Sequence, residues 1–429
     1  MKQPLCKHLL WLLVLWATIG RASAGELREK LAGLHEITCI DSLDSGPFSE
    51  KYVLFIDQPL DHRHPEKGTF RQRVVVSHVG FDRPTLLVTE GYGGSYALYA
   101  SYREELSRMY NCNQILVEHR YFQESAPHPL DWQYLTAENS ACDLHRIFIA
   151  FRALYPRKWI STGISKGGQT TWIYRTFFPD DMDVSVAYVA PLCFRTDDDR
   201  PAVFLEKLAA TGPGKKIRAF QLDAWKRKKT LLPLFEEYCR ARQLTFRIPI
   251  EEVYDYTLLE LPFAYWQWGA PADKIPEPAA TDQAVFDYLL DMSEPSYFAR
   301  EQPDLPFFVQ AARELGYYSY DLEPFRKYLS VRSSRNYLQR IMLPEGMEVK
   351  FDASLSKKIV RYLAANDPKL ICIYGENDPW TAAGLAGCQE KKNRMIVVCP
   401  QGSHSSRIGT LPPEARKKVE KRLSEWLSE

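Results

Sequence analysis

Six short runs in this chain are apolar at nearly every position: Thr85-Leu86-Leu87-Val88-Thr89, Gln114-Ile115-Leu116-Val117-Glu118, Trp159-Ile160-Ser161-Thr162, Val184-Ser185-Val186-Ala187-Tyr188-Val189, Leu370-Ile371-Cys372-Ile373-Tyr374 and Met395-Ile396-Val397-Val398-Cys399. A strand with one wet face alternates apolar and polar residues. Runs this uniform suit strands buried on both faces, which means a mostly parallel sheet with helices on either side. The intervening sequence supplies helices: Leu144, Ile147, Phe148, Phe151 and Leu154 recur at helical spacing, as do Val419, Leu423, Trp426 and Leu427. The fold class is therefore α/β, with right-handed crossovers expected. Two further β-rich runs, Tyr52 to Ile56 and Arg73 to Val79, flank a loop rich in His, Pro and Gly (Asp61 to Gly68), which reads as a long hairpin connection. His62 and His64 in that loop have no third ligand at helix or strand spacing. They are read as solvated rather than metal-binding.

One stretch breaks the alternation. Between Pro191 and Pro368 helical runs punctuated by proline dominate, and the segment is too long for a loop. It reads as a helical cap, residues 195–367, inserted between a first core part, residues 25–194, and a second, residues 368–429. The cap is expected over the C-terminal ends of the strands, where open α/β sheets bind ligands. It concentrates aromatics (Phe263, Tyr265, Trp266, Trp268, then Tyr297, Phe298, Phe307, Phe308, Tyr317, Tyr318, Tyr320). Most are expected to form cap core and a few to line a specificity pocket.

The N-terminus reads as an export signal over residues 1–24: Lys2 and Lys7, the apolar run Leu9 to Ala17, then Ala22-Ser23-Ala24. Its removal takes three basic residues and Cys6, turning Lys+Arg 55 against Asp+Glu 54 and nine Cys into a chain with a slight acidic excess and eight Cys. The near-neutral balance gives no electrostatic case for a nucleic-acid partner or a polybasic membrane binder. The expected product is periplasmic or secreted, free of the membrane after signal removal, in a compartment where disulfides can form. No cysteine or histidine spacing suits a metal site.

Gly163-Ile164-Ser165-Lys166-Gly167-Gly168 lies directly after one strand candidate and directly before the helical run Gln169 to Phe178. A nucleophile elbow requires this composition, because the serine sits on a strained strand-to-helix turn and small neighbours let the backbone segments approach. Ser165 is the candidate nucleophile. A hydroxyl needs a base and an orienting acid, in the chain order Ser, acid, His. Asp378, in Gly375-Glu376-Asn377-Asp378-Pro379-Trp380, and His404, in Gly402-Ser403-His404, each follow a strand candidate. Glu376 is the competing acid, and His119, which precedes the serine, is read as structural. Oxyanion donors are expected from the backbone of Lys166 and of Tyr92, the latter in the turn Glu90-Gly91-Tyr92-Gly93-Gly94-Ser95.

With these residues in place the chain resembles the secreted tripeptidyl aminopeptidases of the α/β-hydrolase fold, including prolyl-preferring members, and more distantly the lysosomal prolyl carboxypeptidase and dipeptidyl peptidase group. The similar stretches run in the same order through the core: Gln58 to His62, Gly68 to Val74, Thr89 to Tyr92, Glu118 to Phe122, Gly163 to Thr170, Ala187 to Pro191 and Gly375 to Trp380. In the cap the likeness is confined mainly to Glu314-Leu315-Gly316-Tyr317-Tyr318. The resemblance implies Ser165, Asp378 and His404 as the triad, removal of short N-terminal peptides, typically tripeptides, from oligopeptides, and no metal or organic cofactor.

From the residues alone, hydrolysis of an ester or amide follows, without a choice of substrate. An aminopeptidase of this type needs an anion that holds the free α-ammonium at a fixed distance from the nucleophile. Glu90 and Glu118 are candidates because both end strands, and a buried structural acid paired with Arg120 is the competing reading for either. A proline pocket would need flat aromatics, which those around Trp266 supply. A dipeptidyl or prolyl carboxypeptidase, an esterase, and a silent binding protein of the same fold remain as alternatives.

Overall fold

The computed structural model describes residues 25–385 and 390–429; the leader expected over residues 1–24 lies outside them. Nine strands form one sheet: β1 (Ile37–Ser42), β2 (Glu50–Pro59), β3 (Thr69–His78), β4 (Thr85–Thr89), β5 (Asn113–Val117), β6 (Trp159–Ile164), β7 (Val184–Tyr188), β8 (Leu370–Gly375) and β9 (Arg394–Cys399), in the spatial order β1-β2-β3-β5-β4-β6-β7-β8-β9. The first three are antiparallel, and β3 joins β5 antiparallel. From β5 through β9 every pairing is parallel. This is an α/β-hydrolase core.

The uniform apolarity of the central runs now has its cause. Leu87 and Ile115 enter one core cluster, which the helices Ala137–Arg152 and Lys166–Phe177 help to build. Leu86, Val88, Leu116, Ile160, Val186, Ile371 and Ile373 enter a second on the opposite face, closed by Val419, Leu423 and Trp426 of the helix Pro413–Ser428. Successive side chains of a strand point to opposite faces, so both parities must be apolar when both faces are covered.

The β2–β3 hairpin is longer than its apolar runs. Gln58 and Gln72 lie inside, the Gln58 amide donating to Gln72 Oε1 at 2.9 Å and to the Asp143 carbonyl at 3.2 Å. The connecting loop also differs from the solvated segment expected. His62 is mostly buried, its Nε2 2.7 Å from Asp143 Oδ1, while His64 stays exposed. Asp143 in turn holds the fully buried Arg120 by two bonds of 2.7 Å. A buried guanidinium requires such saturation, and the carbonyls of Pro59, Leu60 and Tyr134 complete it.

Between β7 and β8 the chain forms the helices Arg200–Ala209, Gly212–Lys226, Lys228–Ala241, Ile250–Trp268 and Asp282–Met292, then shorter turns up to the helix Ser354–Ala365. No disulfide joins two described cysteines, and Cys372 is buried in β8. No described helix is long and apolar enough to cross a membrane, and no group of described His, Cys, Asp and Glu residues could hold a metal ion.

Candidate active site

Register carries three loops to one edge of the sheet. Ile164 pairs with Tyr188, Tyr188 with Ile373, and Gly375 with Cys399, so β6, β8 and β9 end in line. Ser165 leaves β6 at φ 57 and ψ −122, its N–H donating to the Tyr188 carbonyl at 2.9 Å. A non-glycine residue at positive φ is strained, and here the strain aims the side chain off the strand. Glycine is required around it: a Cβ at Gly163 would lie 2.2 Å from the Gly167 carbonyl oxygen. The Glu90 to Ser95 turn presses on the same elbow, since a Cβ at Gly91 would lie 2.6 Å from Gly167 N.

Asp378 is fully buried at the N-terminus of a short helix. Its Oδ1 accepts from Trp380 N–H at 3.1 Å and its Oδ2 lies 2.7 Å from His404 Nδ1. With Nδ1 so engaged, Nε2 is the ring nitrogen left to act, and it is buried with no hydrogen-bond partner. The loop and the ring are held from several directions. His404 N–H donates to the Gln267 carbonyl at 2.8 Å, Arg407 donates to the His404 carbonyl at 3.0 Å, and Trp268 stands edge-on to the imidazole at 5.9 Å. The end of the cap helix Ile250–Trp268 thus holds the histidine loop. Glu376 is exposed and accepts from Gln401 N–H at 2.7 Å, away from the imidazole.

Lys166 follows the serine and its N–H, in the first helical turn, has no intrahelical acceptor. Its side chain is buried, Nζ donating to the Gly91 carbonyl at 2.6 Å and lying 5.7 Å from the Tyr92 ring centre. Burial pulls this amine down to about 7, against the opposing pull of Glu90, Glu314 and Asp304. Tyr92 N–H is not free: it donates to Glu90 Oε2 at 3.3 Å, alongside Gly91 N–H at 2.9 Å, and Tyr96 O–H takes Glu90 Oε1 at 2.7 Å. Burial raises the Glu90 carboxyl above its ordinary range, and these donors oppose it.

Glu118 is a structural acid, though its partner is Arg73 and not Arg120, which Asp143 holds. Gly94 N–H at 2.8 Å, Ser125 N–H at 3.1 Å and Ser125 O–H at 2.9 Å occupy the rest of the carboxylate. It has no room for a ligand. His119 is likewise buried, its Nδ1 2.9 Å from the Arg120 carbonyl, and burial beside Lys166 holds its pKa well below the ordinary range. Trp266 lines a cleft with Leu205, Phe263, Tyr318 and Tyr320, and no residue of the serine loop lines that cleft. Gln267 and Arg407 carry no signal in the sequence, and Trp268 and Trp380 stand out there only among the cap aromatics and in the Gly375 to Trp380 stretch. Their roles depend on cap and loop packing that no local pattern encodes.

The profile of the PS-10 peptidase S37 family matches residues 22–428. The chain belongs to that family. It is 28% identical over 386 residues, 87% of this chain and 79% of the relative, to a prolyl tri/tetrapeptidyl aminopeptidase from Streptomyces mobaraensis. Among solved structures it overlaps a proline iminopeptidase from Mycobacterium smegmatis (12% identity, 91% of this chain and 99% of that one, TM-score 0.36). It also overlaps an α/β hydrolase from Novosphingobium aromaticivorans (14% identity, 86% and 98%, TM-score 0.36).

Proposed function

We propose that this S37 peptidase is a serine exopeptidase that removes short peptides, three residues in the first place, from the free N-terminus of oligopeptides. The observation that carries the reading is the Asp378–His404 pair at 2.7 Å, its Nε2 unpartnered, on loops that leave the same sheet edge as the strained Ser165. His404 Nε2 takes the Ser165 proton as Oγ bonds to the scissile carbonyl carbon, and Asp378 stabilises the resulting imidazolium. Lys166 N–H receives the developing oxyanion. Tyr92 N–H joins it by exchanging its long bond to Glu90 for the oxyanion. The C–N bond then breaks with His404 protonating the leaving amine, and water hydrolyses the acyl-enzyme by the same route in reverse. The cap limits substrates to chain ends. Export before action is part of the same proposal and rests on the composition of residues 1–24.

The test is product length from a defined oligopeptide, read by mass spectrometry. The N-terminal tripeptide and the shortened remainder are expected first, with Ser165→Ala inert. Internal cuts, or release from the C-terminus, would overturn the reading.

A further inference from the structure

Two acids lie inside the cap helix Ile250–Trp268, in surroundings that differ in kind. Asp255 is fully buried and saturated, with Lys228 Nζ at 2.8 Å, Trp225 Nε1 at 3.0 Å and Val331 N–H at 3.3 Å. It ties helices together. Glu260 is 8% exposed, and no described Lys, Arg or His pairs with it. Tyr318 and Tyr320 both donate their hydroxyls to its Oε2 at 2.7 Å. Its Oε1 accepts from no described residue and is not sealed in the interior. A carboxylate taken out of water with one oxygen idle is costly: burial pushes Glu260 up to about 7 against the pull of the two tyrosine hydroxyls, and a cation that reaches the free oxygen favours the charged form.

Its position is specific. From Glu260 the helix runs seven residues to Gln267, whose carbonyl holds the His404 amide. Two turns return to the same face after about 10 Å. Phe263, between them, stacks on Tyr318 at 4.0 Å and meets Trp380 at 5.2 Å, beside Asp378. On the other side Phe307 spans from Tyr317, at 5.5 Å, to Tyr92, at 5.6 Å. The aromatic group around Glu260 therefore reaches both the acid loop and the oxyanion turn, and Ser165 lies between these at the strand ends.

We propose that Glu260 is the anion that receives the substrate α-ammonium, with Tyr318 and Tyr320 clamping Oε2 so that Oε1 meets the incoming nitrogen. The proposal rests on the N-terminal exopeptidase reading and adds the residue that measures the product. An extended tripeptide spans about 10 Å from its amine to its third carbonyl, the same length as the two turns from Glu260 to Gln267, whose carbonyl holds the histidine loop. Aromatic faces around a carboxylate favour an ammonium further. Glu90 and Glu118 do not compete, because backbone, hydroxyl and guanidinium donors already engage both oxygens of each.

The experiment compares a tripeptidyl aminomethylcoumarin bearing a free amine with its N-acetylated twin, on the full enzyme. Glu260→Gln keeps an acceptor for the two tyrosines and removes the charge. Its kcat/KM on the free-amine substrate should fall at least a hundredfold, mostly through KM, with the acetylated rate changed less than threefold. Glu260→Asp is the second variant where the amide does not fold, with a selective loss of at least tenfold expected. If the wild type prefers the free amine and the variants keep that preference, Glu260 is not the anchor. Equal losses on both substrates also overturn the proposal, by making Glu260 structural. Equal wild-type rates on both substrates overturn the exopeptidase reading itself, and the anchor with it.

Discussion

Replacing Asp378 by Asn should separate orientation of the imidazole from everything else at the site. The side chain is fully buried and accepts two bonds, Trp380 N–H at 3.1 Å through Oδ1 and the His404 Nδ1 side at 2.7 Å through Oδ2. An amide of the same shape has only one acceptor. If its NH2 faces His404, Nδ1 must become the acceptor and the ring proton moves to Nε2, where it blocks proton transfer from Ser165. If it faces Trp380, two donors collide. The first arrangement costs catalysis on the order of 10⁴ in kcat, or about 5.5 kcal/mol of transition-state stabilisation. The second costs folding roughly 1–3 kcal/mol. Steady-state kinetics on a free-amine tripeptidyl substrate should therefore show kcat down by 10³ to 10⁴ at near-constant KM, with a modest fall in Tm. Glu376→Gln, on an exposed acid that bonds only Gln401 N–H, should stay within about twofold. An Asp378→Asn enzyme within tenfold of wild type would refute the assignment, because another group would then be orienting His404.

Glu118→Gln should destabilise by about 3–5 kcal/mol in urea unfolding, since it strands the buried Arg73 guanidinium, while leaving the preference for free amines intact. Gly163→Ala places a Cβ 2.2 Å from the Gly167 carbonyl, and kcat/KM should fall more than a hundredfold together with roughly 1–3 kcal/mol of stability. Burial raises the Glu314 carboxyl to about 7. Its folded value lies above the unfolded one, so its ionisation weakens the fold progressively as pH rises from about 4.5 to about 7. Glu314→Gln should match wild type at pH 4.5 and exceed it by roughly 3 kcal/mol at pH 8 in thermal unfolding, and a gap that stays constant with pH would contradict this.

Much of the fold and of the candidate site is legible in the sequence because the signals are local. Strands buried on both faces declare themselves by uniform apolarity, the elbow by glycines that only close backbone approach demands, and the acid and base by following strands. The strand β1 escaped because Ile-Thr-Cys-Ile-Asp-Ser has no apolar run, and pairing with β2 at the sheet edge is what makes it a strand. The burial of His62 against Asp143 and the pairing of Glu118 with Arg73, where the sequence suggests a solvated loop and Arg120, escape for one reason: charge pairing in a core joins residues dozens of positions apart. The engagement of Tyr92 N–H by Glu90 depends on a side-chain rotamer. Glu260 had a faint signal, a lone carboxylate in the stretch Tyr256 to Trp266, but the tyrosines that give it meaning lie some sixty residues later.

A covalent adduct tests the role of Ser165 most directly. A tripeptidyl diphenyl phosphonate with a free amine should phosphonylate the enzyme stoichiometrically, with the mass shift confined to the peptide carrying Ser165, and its N-acetylated form should react far more slowly. Modification of any other residue, no adduct on active enzyme, or equal rates for the two reagents would contradict it.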